Sequence, residues 1–266
     1  MEPDLFDLNP ATRWIGTWLE IYREVDSTNL VAEQLAAAGA PEGTLVLADR
    51  QTAGRGRLGR SFHSPGGLGL YMSVILRPEL PGSRVHQYIF VAAVAVAECV
   101  RAQLPDSLPV EIKWPNDVLL AGRKTSGINL PVQLDGDRVR SAVLGIGVNL
   151  NNTAEDFPPE LRESATSLRL AGSSRVGRTA FAEALLLRLE AEIEGLRSGG
   201  FGRVLEGWEK FFRMRGARVR IGGPGLGHEV EGVIEGVDSA GALLLRANGA
   251  TERILAGDVT VLHGKG

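Results

Sequence analysis

A glycine-rich segment of this chain carries arginines at a spacing that suits an anion. Between Gly54 and Gly67, five glycines stand among Arg55, Arg57 and Arg60. Guanidinium groups and the backbone N–H groups of such a loop bind carboxylates and phosphates together. The same residues would also suit a solvated surface loop, and from these residues alone both interpretations stay open.

A second segment, residues 113–117, reads Lys-Trp-Pro-Asn-Asp and combines a cation, an aromatic ring, a rigid turn, an amide and a carboxylate. A carboxylate and an amide at a strand end suit a magnesium–phosphate complex, because magnesium prefers oxygen ligands and keeps several waters. Lys124 follows Asp117 by seven residues, at the tip of a predicted hairpin. Standing alone, these residues would also suit an Asn-Asp turn with a packing tryptophan and a solvated hairpin tip.

Residues 54–59, Gly-Arg-Gly-Arg-Leu-Gly, also match the dinucleotide-binding pattern G-x-G-x-x-G. That pattern requires the third glycine to open a helix that packs on the preceding strand. Here Pro65 and further glycines follow, and the chain returns to a strand. The context therefore argues against an NAD site.

The predicted elements place both segments in an α+β domain with a mixed sheet, because strands do not alternate strictly with helices. Strands are expected at residues 18–22, 44–48, 70–76, 110–113, 118–120, 127–134 and 142–150, and helices at 30–38, 85–104, 179–197 and 202–213. Beyond Arg215, five short strands between glycine turns predict a small β-barrel, with strands at 217–221, 229–237, 242–246, 251–255 and 259–262. We expect a catalytic domain over residues 1–214 and a C-terminal domain over residues 215–266.

Composition narrows the class of protein. The 266 residues carry a net charge of −3, which argues against a protein that binds nucleic-acid backbones. The longest apolar stretch without a charged residue, Val85 to Ala97, is too short for a membrane span and predicts a buried helix. No secretory signal is visible, and the single Cys99 predicts a buried thiol, so the expected location is cytoplasmic.

Four motifs occur in order along the chain: residues 26–29 (Asp-Ser-Thr-Asn), residues 51–53 (Gln-Thr-Ala), the glycine-rich loop and residues 113–117. In this order they resemble the biotin protein ligases, also called biotin–[acetyl-CoA-carboxylase] ligases. The motifs span residues 20–151, and the predicted C-terminal barrel fits the last domain of that family. The resemblance implies a class II aminoacyl-tRNA-synthetase-like catalytic domain and a barrel of the Src-homology type. The short segment before Trp18 leaves no room for a helix-turn-helix, so we expect the ligase-only type without a DNA-binding domain.

The resemblance also implies a reaction. Biotin would be activated by ATP and Mg²⁺ to biotinyl-5'-adenylate and then transferred to a lysine of a biotin carboxyl carrier protein domain. Neither nucleic acid nor membrane is expected as a partner, and a homodimer is left open. Three alternatives remain: a lipoate or octanoate protein ligase-like transferase, a nucleotide-binding regulatory module, and a DNA-binding repressor, which the missing head and acidic charge disfavour.

Roles for individual residues follow from the same resemblance. The implied catalytic cations are Lys124, Arg55 and Arg57. The implied biotin site comprises Ser27, Thr28, Asn29, Gln51, Gly54, Arg55, Gly56, Arg57, Lys124 and Gly127. The implied nucleotide side comprises Lys113, Trp114, Asn116, Asp117 and Asn149, with Asp117 a candidate magnesium ligand through Mg-ATP.

One stretch departs from the family pattern. After the catalytic lysine the family usually reads Gly-Ile-Leu, an aliphatic residue and glutamate, whereas here Gly127-Ile128 precede Asn129-Leu130-Pro131. The proline and the missing carboxylate bear on the hydrogen bonding of this strand.

Overall fold

The larger sheet is mixed, as predicted. A computed structural model of the chain describes residues 7–172, 174–223 and 228–262. The eight strands of this sheet are β1 (Leu19–Val25), β2 (Leu45–Gln51), β3 (Gly69–Leu76), β4 (Val110–Lys113), β5 (Asp117–Leu120), β6 (Arg123–Asn129), β7 (Val132–Asp135) and β8 (Arg138–Asn149). They lie in the order β1-β2-β3-β8-β6-β5-β4, with β7 paired to β8. The pair β1–β2 is parallel, and the other pairs are antiparallel.

Four helices accompany the strands: α1 (Thr28–Ala37), α2 (Gln87–Arg101), α3 (Arg178–Gly199) and α4 (Phe201–Glu209). Helix α2 is apolar on nearly every side because it packs against α3, α4 and the sheet. Cys99 is buried in it, as predicted, and burial raises the pKa of the thiol to about 11. Among the described residues, no helix combines the length and apolar character needed to cross a membrane.

The hairpin that follows Asp117 differs from the prediction. Ala121 and Gly122, both with positive φ, make the turn, and β6 begins at Arg123. Lys124 therefore lies within β6, opposite Leu119, and the prediction that it sits at the hairpin tip was wrong. The expected strand over residues 127–134 is broken between β6 and β7 at Leu130 and Pro131, because proline has no N–H to donate to a ladder.

The C-terminal part is an antiparallel sheet in which all five predicted strands are present, with small shifts at their ends: β9 (Arg218–Gly222), β10 (Val230–Val237), β11 (Leu243–Ala247), β12 (Ala250–Ile254) and β13 (Asp258–Val261). The strands lie in the order β12-β11-β10-β9-β13. In the part of the chain that the structure describes, no pairing joins the terminal strands β12 and β13. The sheet is confirmed, and its closure into a barrel stays a prediction.

A buried carboxylate fastens the N-terminal segment to the core. Glu190 on α3 accepts hydrogen bonds from the backbone N–H groups of Arg13, Trp14 and Ile15 at 2.8–3.1 Å. Burial alone would raise the pKa of Glu190, but these three donors and the Arg13 guanidinium outweigh it and hold the pKa below its ordinary value. The ionised carboxylate thus stabilises the fold.

We expect Glu190→Gln to lower the free energy of unfolding by about 1–3 kcal/mol, because charge-assisted hydrogen bonds to three donors are weakened. Since the folded-state pKa is depressed, the contribution is present above the ordinary glutamate pKa of about 4.3 and is lost as pH falls below it. Denaturant melts at pH 7 and pH 3.5 test this. Glu194→Gln, which removes only a surface partner of Arg13, is the control. Equal stability of the Glu190 variant and the wild type at pH 7 would contradict the assignment.

Candidate active site

The end of β2, the middle of β3 and the start of α1 form one polar wall. Because β1 and β2 run parallel and Val25 pairs with Gln51, both strands finish at the same edge of the sheet. Gln51 Oε1 accepts hydrogen bonds from the backbone N–H and the hydroxyl of Thr28 at 2.8 and 3.1 Å. On β3, Ser73 Oγ donates to Asn29 Oδ1 at 2.6 Å and lies 2.9 Å from Thr28 Oγ1. This wall is a preorganised set of donors and acceptors.

The wall borders a cleft that is also lined by residues of the glycine-rich loop and of β5 and β6. Most of the predicted biotin residues and two predicted nucleotide-side residues line it. These are Thr28, Asn29, Gln51, Arg55, Gly56, Arg57, Asn116, Asp117, Lys124 and Gly127. The structure therefore brings together residues that are up to a hundred positions apart in the chain.

Glycines make the floor of the cleft. Gly127 on β6 pairs with Gly147 on β8, and Gly145 lies two residues before Gly147. A Cβ atom on Gly145 would lie 2.0 Å from Asn29 Oδ1, and one on Gly147 would lie 2.6 Å from the Phe62 ring. Side chains from α1 and from the loop thus rest directly on the backbone of the sheet.

Lys124 and Asp117 form an ion pair at the cleft. The ammonium Nζ lies 2.7 Å from Asp117 Oδ1, and the end of the lysine side chain crosses over Gly127. The Lys124 side chain is 38% exposed and that of Asp117 is 19% exposed, so an incoming anion could reach the cation from the cleft. The pair arises because Asp117 is opposite Gly127 across the antiparallel strands β5 and β6, and the Lys124 side chain extends along β6 as far as Gly127.

Arg57 brings the glycine-rich loop to the 113–117 segment. Its Nη1 donates to Asn116 Oδ1 at 2.9 Å, and Asn116 Nδ2 donates to the Ile128 carbonyl at 2.9 Å. Burial lowers the pKa of Arg57, against the opposing fields of Asp258 and Asp117. A guanidinium remains charged in proteins, so Arg57 is a partly desolvated cation suited to a bound anion.

A second cavity adjoins the first, and Phe62 lines both. Lys113 and Asn149, both predicted on the nucleotide side, line it together with apolar residues such as Phe157 and Leu161. Burial lowers the pKa of Lys113. Asn149 Nδ2 donates to the Thr166 carbonyl, whereas its buried Oδ1 has no hydrogen-bond partner among the described residues. Residues shared by the two cavities are Arg60, Ser61, Phe62, Asp117 and Lys124.

Three predicted site residues lie elsewhere. The indole of Trp114 is 2% exposed and donates to the Gly241 carbonyl at 3.1 Å, so it anchors the C-terminal sheet and lines neither cavity. Ser27 is buried at the N-cap of α1, and its hydroxyl makes no capping hydrogen bond. Gly54 packs closely against the backbone of Phe62, since a Cβ at Gly54 would lie 2.4 Å from the Phe62 carbonyl oxygen.

The cleft also contains residues that the sequence analysis missed, among them Phe62 and Asp258. Phe62 follows Arg60 by two residues. An aromatic residue at this end of the glycine-rich loop was a signal that could have placed it in the site. Asp258 belongs to the C-terminal sheet, and no local pattern marks it. Among the described residues, no group of three or more His, Cys, Asp and Glu side chains is placed to hold a metal ion.

Comparison with known proteins agrees with this geometry. Residues 21–149 match the biotin/lipoate A/B protein ligase family, and residues 216–262 match the biotin protein ligase C-terminal domain. The bifunctional ligase/repressor BirA of Bacillus subtilis (strain 168) is 40% identical over 248 residues, which cover 93% of this chain and 75% of that protein. The biotin–[acetyl-CoA-carboxylase] ligase of Mycobacterium tuberculosis is 34% identical over 253 residues, which cover 92% of this chain and 89% of that protein.

A solved structure shares the fold across both parts of the chain. The biotin protein ligase from Aquifex aeolicus in complex with biotin and ATP matches with a TM-score of 0.76 and 29% sequence identity, covering 93% of this chain and 100% of that chain. The sequence identity, the two domain matches and the shared fold together show that this chain belongs to the biotin protein ligase family.

Proposed function

We propose that this protein activates biotin with ATP to biotinyl-5'-adenylate and transfers the biotinyl group to a specific lysine of a biotin carboxyl carrier protein domain of acetyl-CoA carboxylase. The observation that carries the proposal is the position of Lys124 and Asp117 on the boundary shared by two adjoining cavities. A reaction between two bound substrates needs its charged groups at that boundary. The Aquifex aeolicus relative is described in complex with biotin and ATP, which supports the same substrates here.

In the first step a carboxylate oxygen of biotin attacks the α-phosphorus of ATP, and the bond to pyrophosphate breaks. Two anions must approach each other, so positioned cations are the main requirement. Lys124, Arg55 and Arg57 line the cleft and supply three positive charges. In our proposal Lys124 leaves Asp117 to bridge the biotin carboxylate and the phosphate.

In the second step the ε-amine of the carrier lysine attacks the acyl carbon of the adenylate, and AMP leaves with the electrons of the broken C–O bond. No enzyme nucleophile is required. Positioning by the polar wall at Thr28, Asn29 and Gln51 contributes by holding the biotin group while the amine approaches. Asn149 Oδ1, which has no hydrogen-bond partner among the described residues, suits a hydrogen-bond donor of the nucleotide in the second cavity.

Magnesium would enter with the ATP phosphates. In nucleotide sites this ion takes one or two carboxylates and completes its shell with phosphate oxygens and waters. Asp117 lines both cavities with a carboxylate and fits that requirement, so it is the residue that would hold the ion. Bound there, magnesium would neutralise part of the phosphate charge.

Several finer points belong to the same proposal. The net charge of −3 supports a protein without a nucleic-acid partner. The class II aminoacyl-tRNA-synthetase-like arrangement, the Src-homology-type barrel, the domain boundary after Met214 and the cytoplasmic location stay predictions, and a homodimer stays an open alternative. The family matched by residues 21–149 also includes lipoate ligases, but the match of residues 216–262 to a biotin protein ligase domain favours biotin.

The test of substrate is ATP–pyrophosphate exchange. With radiolabelled pyrophosphate, ATP and magnesium, we expect biotin to support exchange and lipoate or octanoate to support none above background. Exchange without biotin dependence would contradict the proposal. Exchange with lipoate alone would establish the alternative acyl ligase.

Replacement of the proposed catalytic lysine tests the reaction chemistry. Lys124→Arg is expected to slow biotin-dependent exchange by about 10²–10³-fold, because a planar guanidinium does not fit where a compact ammonium sits between two anions. Thermal melting should show the same fold stability as the wild type. Lys210→Arg makes the same substitution near the end of α4, outside both cavities, and should leave exchange unchanged. Retention of more than a tenth of the exchange rate by Lys124→Arg would remove this role.

The glycine floor provides a separate test of biotin binding. Gly145→Ala places a methyl group where Asn29 Oδ1 now lies and must displace that side chain from the polar wall. We expect the dissociation constant for biotin, measured by calorimetry, to rise at least about tenfold, as for the loss of a hydrogen bond in a buried site. Gly202→Ala, in α4 with open space around it, is the matched control. Unchanged biotin affinity of Gly145→Ala would place the biotin site elsewhere.

A further inference from the structure

The C-terminal sheet touches the glycine-rich loop at two points. Arg60 Nη2 lies 2.6 Å from Asp258 Oδ2, and the Leu58 side chain approaches Gly223, where a Cβ would be 3.4 Å from Leu58 Cδ1. Asp258 begins β13 and pairs with Gly222 on β9, so both contacts come from one end of the C-terminal sheet. Asp258 is also the one acidic residue of that sheet among the described residues that line the cleft.

The loop conformation needs such contacts. Leu58 has φ 55° and ψ 36°, a left-handed conformation that is unfavourable for a residue with a bulky side chain. Leu58 is 42% exposed, so it is not held by burial in the core. The Arg60–Asp258 ion pair and the Leu58–Gly223 contact are the points at which the C-terminal sheet supports this loop conformation.

Arg60 is linked directly to the cations of the cleft. The loop is a narrow hairpin in which Gly56 N donates to the Arg60 carbonyl at 2.7 Å and Phe62 N donates to the Gly54 carbonyl at 2.8 Å. Arg55 forms a backbone bridge with Ser61. Holding Arg60 therefore also holds Arg55 and Phe62, both of which line the cleft.

The C-terminal sheet is itself fastened to the catalytic domain. Trp114 donates to the Gly241 carbonyl, and His86 Nε2 lies 2.6 Å from the Ala240 carbonyl oxygen. These contacts are on the turn before β11, away from Asp258 in sequence. The sheet is thus an anchored support from which Asp258 can act on the loop.

We propose that Asp258 is a positioning residue that keeps the glycine-rich loop closed over the cleft through Arg60, so that the C-terminal domain controls retention of the acyl-adenylate until the carrier arrives. The inference rests on the proposed function for the identity of the retained intermediate. We call the Arg60–Asp258 ion pair the latch. Its loss would let biotinyl-adenylate leave the cleft and react with water, which yields biotin and AMP.

The first experiment measures the loop directly in the full-length protein. Trypsin cleavage after Arg55, a side chain that does not touch Asp258, is followed by mass spectrometry with and without biotin and ATP. Asp258→Asn removes the charge with little change of shape and should speed this cleavage about three- to fivefold, the range for a partly exposed ion pair. Asp258→Glu should restore protection. Glu231→Gln, which breaks the Arg220 ion pair of 2.8 Å in the same sheet, should cleave like the wild type.

Two further arms separate a latch from other roles. Exchanging the charges in an Arg60→Asp, Asp258→Arg double variant should slow cleavage after Arg55 relative to either single variant. In single-turnover reactions with carrier protein, Asp258→Asn should raise the ratio of free AMP formed by hydrolysis to biotinylated carrier about threefold. Equal cleavage rates for wild type and Asp258→Asn would overturn the proposal, even if the KM for ATP changed, since that change would reflect only the charge in the cleft.

The cleavage experiment tests the latch independently of the proposed function. If the wild type showed no biotin-dependent exchange, the proposed function would fail, while the cleavage rates would still decide whether Asp258 holds the loop. If exchange were normal and cleavage unchanged, the latch alone would fail.

Discussion

The close packing of side chains onto bare backbone is the constraint on which the site depends. Where β6 and β8 pair, Gly127 and Gly147 leave a strip of sheet without side chains, and Gly145 extends it. Phe62, Asn29 and the end of Lys124 occupy the space that Cβ atoms would fill. A larger residue at any of these glycines must displace a group that faces the cleft. The shape of the cleft therefore depends on the absence of side chains at these glycines.

Electrostatics follows from this packing. The cleft concentrates arginine and lysine side chains in a chain whose net charge is −3, and only two of the described residues that line it are acidic. Partial burial lowers the pKa of Arg57 in this cleft and of Lys113 in the adjoining cavity, so these two cations are poorly solvated. Poorly solvated cations favour the binding of carboxylate and phosphate groups. The acidic residues Asp117 and Asp258 form ion pairs with Lys124 and Arg60.

The two parts of the chain meet on either side of the same segment. Trp114 fastens the C-terminal sheet next to Lys113, and Asp258 holds the loop that contacts Asn116. Lys113 and Asn116 thus lie between two points of attachment. The burial of Trp114 fixes the position of its neighbours in the 113–117 segment.

Local sequence determined a large part of this architecture. Apolar periodicity located the helices and the five C-terminal strands, because those patterns depend only on neighbouring residues. The glycine-rich loop and the segment ending in Asp117 identified the cleft, since their residue types are unusual for purely structural turns. The hairpin-tip position expected of Lys124 was wrong, because strand pairing overrides local preference.

Only the tertiary structure decided which of these residues share a surface. The family resemblance implies that Trp114 lies on the nucleotide side. In the structure its indole is buried in the interior, where it donates to the Gly241 carbonyl. Asp258 carries no local signal, and it reaches the cleft because β13 pairs with β9 beside the loop. Sequence specified the residue types and the local elements, whereas long-range strand pairing and the contact between the two domains decided which charges lie within reach of one another.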